Sequence, residues 1–78
     1  MTTTRLSALR PGDCGIISAL HTEQELYHRL AALGFRIGKR IEVIRSARFH
    51  GPLQVRIGST DIMLRLREAQ KIDIQPAT

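Results

Sequence analysis

The sequence has no tryptophan and few other aromatic residues. Its aromatic side chains, Tyr27, Phe35 and Phe49, are too few for an aromatic-lined groove that binds proline-rich peptides or for a platform that stacks single-stranded nucleic acid. The single cysteine, Cys14, has no intramolecular partner for a disulfide, and we expect a small buried thiol there. The N-terminal residues lack the apolar run of a secretory signal. We therefore expect a protein of the reducing cytoplasm.

Long hydrophobic runs and catalytic motifs are also missing. No segment approaches the roughly 18 apolar residues that a membrane-spanning helix needs, so we expect no direct membrane insertion. There is no Gly-x-Ser-x-Gly elbow, no phosphate-binding glycine loop and no pair of catalytic carboxylates. A chain of 78 residues buries only about 60% of its unfolded surface, which leaves little room for a catalytic cavity. We expect that the protein is not an enzyme.

Positive charge is in excess, with 12 Lys and Arg against 7 Asp and Glu and a net charge of +5. This excess favours anionic partners. The basic residues are scattered singly except for Lys39 and Arg40, so there is no basic tail. A basic nucleic-acid-binding or regulatory small barrel is the alternative function, although the scarcity of aromatic residues weakens its nucleic-acid form.

Residues 30–43 are the most informative segment, because they predict a helix ended by Gly34, a tight corner to Gly38 and then a strand. Thr22 and Glu25 have the spacing of a capping box, which predicts the start of that helix. An apolar stripe then follows along the predicted helix at Leu26, Leu30 and Leu33.

Alternating apolar and polar residues predict the strands. The first runs from Cys14 to Leu20, with its inward face left open between Ile16 and Ile17, and the last covers residues 72–75. Three more carry inward apolar positions at Ile41 and Val43, at Leu53, Val55 and Ile57, and at Ile62, Leu64 and Leu66. Residues 67–71 are long enough for one helical turn only. The prediction is a mainly β fold, a small five-stranded SH3-like barrel with one inserted α-helix and a short single-turn helix before the last strand.

The order of several short motifs resembles the FeoA family, the accessory proteins of the bacterial ferrous iron transporter FeoB. These motifs are Leu6-x-x-Leu9-x-Pro11-Gly12, Gly15-x-Ile17, Arg29-Leu30-x-x-Leu33-Gly34-x-x-x-Gly38, Pro52-Leu53, Leu64-Arg65 and Glu68-Ala69-x-x-Ile72. A similar domain is also appended to iron-dependent repressors. The turn at residues 48–52 departs from the family pattern, because it lacks the family's first proline and its aspartate.

The resemblance implies a single FeoA-like domain over residues 1–78. It also implies a non-catalytic cytoplasmic protein that binds the cytosolic GTP-binding region of FeoB and modulates its GTP-linked Fe(II) uptake. Through the transporter, such a protein would be peripheral at the inner face of the membrane.

Five residues are candidates for partner binding. Tyr27, Phe49 and Met63 are placed to offer apolar contact area. Arg29 and Arg65 match positions of the family motifs, and this resemblance implies that either pairs with an acidic partner surface. The structural alternatives are edge packing for the apolar side chains and internal ion pairs with Glu68 or Asp61 for the arginines.

His21, Glu25 and His28 are candidate metal ligands, because they are spaced i, i+4, i+7 at the predicted helix start. Imidazole with carboxylate suits zinc, iron or nickel. The alternative is a polar, solvated helix face, since His21 precedes the cap and Glu25 is occupied by the capping box. We therefore expect no required cofactor and at most a weak surface-bound zinc or iron ion, adventitious or bridging a homodimer.

Overall fold

The structure is a computed structural model that describes residues 3–76. A sheet of short strands dominates, with two helices between them. In chain order the elements are β1 (Thr4–Arg5), a 3₁₀ turn (Leu6–Ala8), β2 (Cys14–Leu20), α1 (Gln24–Ala32), β3 (Arg40–Ser46), β4 (Leu53–Ile57), β5 (Thr60–Leu64), α2 (Leu66–Ala69) and β6 (Ile72–Pro76). None of the helices in this described part of the chain is long and apolar enough to cross a membrane.

All the strands form one antiparallel sheet in the order β1-β6-β2-β3-β4-β5. The register shifts between Ile17 and Ala19 where β2 pairs with β6, and between Val43 and Arg45 where β3 pairs with β4. Such irregularities increase the local bend and twist of a strand. Gly15 lies where β2 pairs with the end of β6, and a Cβ there would come within 2.6 Å of the Gln75 carbonyl oxygen. Only glycine fits this close approach without movement of β6.

The predicted mainly β fold is confirmed, with one long helix and one single-turn helix before the last strand. The sheet has six strands instead of the predicted five. The additional strand is β1, whose two residues pair with Asp73 and Ile74 of β6. Two residues are too few to produce a readable alternation, which is why the sequence did not predict this strand.

The predicted inward faces of the strands are mostly correct. Ile17 is fully buried and Ile16 is only partly buried, which decides the orientation of β2. Leu66 was predicted as a strand residue, but β5 ends at Leu64 and Leu66 begins α2. The buried hydrophobic residues form one core cluster of Leu6, Ile17, Leu30, Phe35, Ile41, Val43, Leu53, Val55, Ile62, Leu64, Ala69, Ile72 and Ile74.

The predicted capping box at the start of α1 is wrong. The residue with extended dihedrals before the helix is Glu23 (φ −65°, ψ 161°), and no side chain caps the helix. Because the helix begins one residue later than predicted, Glu25 is its second residue and is out of register with Thr22. The Thr22 hydroxyl is buried and has no hydrogen-bond partner among the described residues.

The end of α1 and the corner that follows agree with the predicted glycine positions. Gly34 and Gly38 have φ of 102° and 94°, in the left-handed region that favours glycine. The Phe35 amide donates to the Leu30 carbonyl (2.9 Å), and the Phe35 side chain is fully buried. Leu33, predicted to extend the apolar stripe, is instead the C-cap residue and is 42% exposed, because Phe35 occupies the core at the end of the helix.

Candidate partner-binding surface

An open groove lies between the end of β5, the turn before β4 and α2. Its volume is about 700 Å³, and apolar and basic side chains line it. The lining residues are His50, Pro52, Met63, Leu64, Arg65, Leu66, Arg67 and Gln70. None of these residues is acidic, so the groove is suited to a partner surface that is apolar and negatively charged.

Met63 lies in this groove because of the alternation of β5. Ile62 and Leu64 are buried in the core, so Met63 between them faces outward and is 61% exposed. It pairs with Gln54 of β4 in the sheet. Methionine is flexible and polarizable, and exposed methionines suit surfaces that adapt to a partner. The structure thus places Met63 where the alternation of the sequence predicts it.

Phe49 lies in the turn beside the groove and is 94% exposed. Phe49 and His50 both have positive φ, 58° and 64°, which are uncommon values for residues other than glycine. The turn is closed by the Ala47 amide, which donates to the Pro52 carbonyl (3.0 Å). Phe49 does not itself line the groove, but it directly precedes His50, which does.

Arg65 and Arg29 have different surroundings. Arg65 lines the groove at the start of α2, and its backbone amide donates to Glu68 Oε1 (3.0 Å). The Arg29 guanidinium donates to Glu68 Oε2 and so joins α1 to α2. Arg29 therefore forms the internal ion pair with Glu68 that was the structural alternative to partner binding. Asp61 forms its ion pair with Arg56 and with neither of the two candidate arginines.

Glu68 is the acceptor of both interactions. Burial acts to raise the pKa of the Glu68 carboxyl, but the hydrogen bond from the Arg65 amide and the positive charge of Arg29 outweigh it. The net result is a pKa below the ordinary value, so the carboxylate is ionised at neutral pH.

Tyr27 lies on α1 and is 44% exposed. Its ring packs edge-on against the ring of His28, with centroids 5.9 Å apart and planes at 79°. Tyr27 does not line the groove, and Arg29 lines a separate polar recess that also contains Glu25 and Glu68. Of the five candidate partner-binding residues, the structure brings Met63 and Arg65 together in the groove, and Phe49 directly precedes the groove residue His50.

The candidate metal ligands are not brought together. The His21 ring lies 2.8 Å from Asp73 Oδ2 of β6, measured from Nε2, while Glu25 and His28 lie on α1. Within residues 3–76 no group of three or more His, Cys, Asp or Glu side chains is arranged to hold a metal ion. Cys14 is only partly buried, and its sulfur accepts a hydrogen bond from the Arg40 guanidinium (3.3 Å).

Several groove residues were missed by reasoning from sequence. Pro52, Leu66, Arg67 and Gln70 were not singled out as functional, and His50 was interpreted as a solvated loop residue. A signal for Arg67 was available, because it occupies the same short segment as Arg65 and Glu68. No sequence pattern placed that segment beside residues 50–52.

Comparison with known proteins agrees with the fold and with the resemblance. A family model described as the FeoA domain matches residues 4–76. A fusion of Fe(2+) transport protein A and the Fe(2+) transporter FeoB from Porphyromonas gingivalis is 32% identical over 71 residues. The match covers 91% of this chain but only 8% of the fusion protein.

Two solved structures are also similar. The solution structure of iron(II) transport protein A from Clostridium thermocellum has a TM-score of 0.88 at 36% identity, covering 94% of this chain and 45% of that one. The crystal structure of Stenotrophomonas maltophilia FeoA complexed with zinc, a procaryotic SH3 domain protein, has a TM-score of 0.74 at 26% identity, covering 96% and 91%. The SH3-like fold is thereby confirmed, and the match of the family model over nearly the whole chain shows that the protein belongs to the FeoA domain family.

Proposed function

We propose that this chain is a non-catalytic cytoplasmic accessory protein that binds the cytosolic GTP-binding region of a FeoB-type transporter and modulates its GTP-linked Fe(II) uptake. The observation that carries the proposal is the relative in which a similar sequence and FeoB form one polypeptide. Two domains joined in one chain meet at high effective concentration, an arrangement that suits domains that act together. In this proposal GTP hydrolysis belongs to the transporter.

The groove beside β5 and α2 is the surface that we assign to this interaction. It combines exposed apolar area at Met63 with positive charge at Arg65 and Arg67. Interfaces commonly have an apolar centre surrounded by charged or polar groups. Tyr27 and Arg29 stay as predicted contacts of a second area on α1, separate from the groove.

The test is a calorimetric titration of the soluble GTP-binding region of FeoB with this protein and with two variants. Met63→Glu places a charge at the apolar centre, and we expect the affinity to fall about tenfold or more, since desolvating an unpaired carboxylate is costly. Ile37→Glu is the matched control, because Ile37 is 67% exposed and does not line the groove. Equal losses in both variants, or no binding of the native protein at high micromolar concentration, would contradict the proposal.

A titration with duplex DNA distinguishes the alternative of a basic nucleic-acid-binding barrel. Such a protein would bind DNA with an affinity that falls steeply with salt, because neutralised phosphates release counterions. We expect no such binding here, since the basic side chains are dispersed in the sequence and Arg29 and Arg56 are paired with carboxylates of this chain.

For metals, we infer at most weak surface binding of zinc or iron. A FeoA from another organism was solved with zinc, but the residues described here do not provide a three-ligand group that fits a structural or catalytic ion. Zn²⁺ titrations of the native protein and of His28→Ala test this. We expect weak binding that decreases in the variant, and an unchanged affinity would remove His28 from any site.

A further inference from the structure

The strand β5 is an open edge of the sheet. It lies at one end of the strand order, and among the described residues 3–76 it pairs only with β4. The other end of the sheet is β1, which is two residues long. A five-residue edge strand with exposed side chains at Thr60, Asp61 and Met63 presents unpaired backbone groups to a neighbouring chain.

The turn between β4 and β5 determines which backbone groups are unpaired. Two residues, Gly58 and Ser59, separate the paired residues Ile57 and Thr60. In such a hairpin the flanking pair is hydrogen-bonded, and hydrogen-bonded and non-hydrogen-bonded pairs then alternate along the strands.

Asp61 and Met63 therefore belong to the non-hydrogen-bonded pairs. Their backbone N–H and C=O groups point away from β4 and have no backbone partner elsewhere in residues 3–76.

The groove continues this open edge. Met63 belongs to the open edge and also lines the groove. Leu64 and Leu66 line the groove as well, and Leu66 is the first residue of α2. An extended segment that paired with β5 would project alternate side chains toward the groove, because side chains alternate along a strand. Backbone pairing would then provide affinity, while the groove would select the side chains of the segment.

The charges around the edge favour an acidic segment. Arg67 lines the groove and forms no ion pair with any described residue, and the chain has an overall charge of +5. The carboxylate of Asp61, on the same strand edge, is already hydrogen-bonded by Arg56 (2.6 Å) and Gln54 (3.0 Å). The lining of the groove therefore carries positive charge from Arg65 and Arg67 and no acidic residue, while Arg67 also borders the recess that contains Glu23 and Glu25.

We propose that an extended, acidic segment of the FeoB cytosolic region adds as a strand to the open edge of β5, with its apolar side chains in the groove and its carboxylates beside Arg65 and Arg67. The inference rests on the proposed function and specifies the partner chemistry of the same surface. It commits to strand addition, so docking of a helix or of a globular face is an outcome that contradicts it.

Amide hydrogen exchange, followed by NMR in the complex with the soluble FeoB region, tests the backbone pairing. We expect exchange at the Asp61 and Met63 amides to slow by about tenfold or more, as for amides that gain a hydrogen bond, while exchange at the amide of Arg36, an exposed residue outside the groove, is unchanged. A complex in which Asp61 and Met63 exchange as fast as in the free protein overturns strand addition and leaves the proposed function intact. A calorimetric titration that shows no binding of the native protein to the soluble FeoB region overturns both strand addition and the proposed function.

Two variants at Met63 separate its backbone from its side chain. Met63→Ala removes side-chain contacts, whereas Met63→Pro also removes the outward N–H while keeping the inward pairing of its neighbours. We expect Met63→Pro to bind FeoB about tenfold more weakly than Met63→Ala, the effect of one lost hydrogen bond. Equal affinities, in variants whose core chemical shifts match the native protein, overturn the inference.

Charge reversal at Arg67 tests the acidic character of the segment. We expect Arg67→Glu to lower the affinity about tenfold or more, and the matched control Arg36→Glu to lower it by less than about threefold, because Arg36 is exposed outside the groove. Equal effects of the two variants would mean long-range attraction without a specific acidic segment, which contradicts the inference.

Discussion

The interaction of Glu68 with Arg65 and Arg29 allows a quantitative prediction. Glu68 Oε1 accepts a hydrogen bond from the Arg65 amide at 3.0 Å, and Oε2 accepts one from the Arg29 guanidinium. The side chain of Glu68 is 12% exposed, whereas that of Arg29 is 59% exposed. A capping hydrogen bond of this kind contributes about 1 kcal/mol. An ion pair with a largely exposed partner contributes only about 0.2–1 kcal/mol, because water screens it.

The perturbation consists of Arg29→Met, Glu68→Ala and the double variant. We expect Arg29→Met to lower the free energy of unfolding by about 0.5 kcal/mol, since it removes only the ion pair. Glu68→Ala removes the cap as well and should cost about 1.5–2 kcal/mol. In a domain of this size, 1 kcal/mol corresponds to a change in Tm of about 4–8 °C.

Urea unfolding followed by far-UV circular dichroism measures these differences. The double variant should show a coupling free energy of about 0.5 kcal/mol between the two residues. A cost for Glu68→Ala no greater than that for Arg29→Met would refute the capping role. We also expect Arg29→Met to lower the affinity for FeoB by more than about twofold, because Arg29 is a predicted partner contact and its pair with Glu68 supports α2 beside the groove. An affinity equal to that of the native protein would remove Arg29 from the interaction.

Three further predictions concern stability. Leu30→Ala should cost about 2–5 kcal/mol, because Leu30 is fully buried, and a thermal melt that is unchanged would contradict its place in the core. Phe49→Gly should raise the free energy of unfolding by about 0.5–1 kcal/mol through relief of its positive φ, and a lower Tm would be the opposing result. The lowered pKa of Glu68 means that the unfolded state binds protons more tightly, so stability should fall as the pH drops below the ordinary value of 4.5 toward the folded-state pKa. Glu68→Gln should reduce this slope in urea titrations between pH 5 and about 3.

The strands were the most predictable part of the fold. Ile41 and Val43 of β3, like Leu53 and Val55 of β4, alternate with polar residues because one face of each strand packs on the core. Glycine was predictable for a different reason, since Gly34 stands where only a residue that tolerates positive φ ends the helix without strain.

The start of α1 was less predictable, because more than one residue near it is able to precede the first helical turn. Thr22 is a favourable capping residue by type, but the backbone becomes helical only after Glu23. The entry of the chain from β2, where the His21 amide donates to the Lys71 carbonyl (2.7 Å), is a tertiary contact that residues 21–25 do not encode on their own. The residue types therefore predicted that a helix forms, whereas its first residue depends on tertiary contacts of the preceding chain.

One part of the candidate partner-binding surface was predictable from the sequence, and the other part depends on tertiary packing. Met63 was identified because strand alternation alone makes a residue face outward, whereas Arg65 was identified by its match to a family position. The groove itself depends on how α2 lies beside residues 50–52, which are separated from it by a complete strand hairpin. Only the folded chain brings His50 and Gln70 to one surface, so their residue types carried no signal of it.

Glu68 connects the stability of the domain with the shape of that surface. It does not line the groove, yet its carboxylate holds the first turn of α2 through the Arg65 amide, and the groove residues Arg65, Leu66 and Arg67 belong to that turn or directly precede it. Since α2 has only four residues, it cannot keep its position by helix propensity alone. The contact from α1 through Arg29 and the burial of Ala69 must fix it instead. The internal ion pair of Arg29 and Glu68 thus helps to position the arginines of the groove that we assign to the partner.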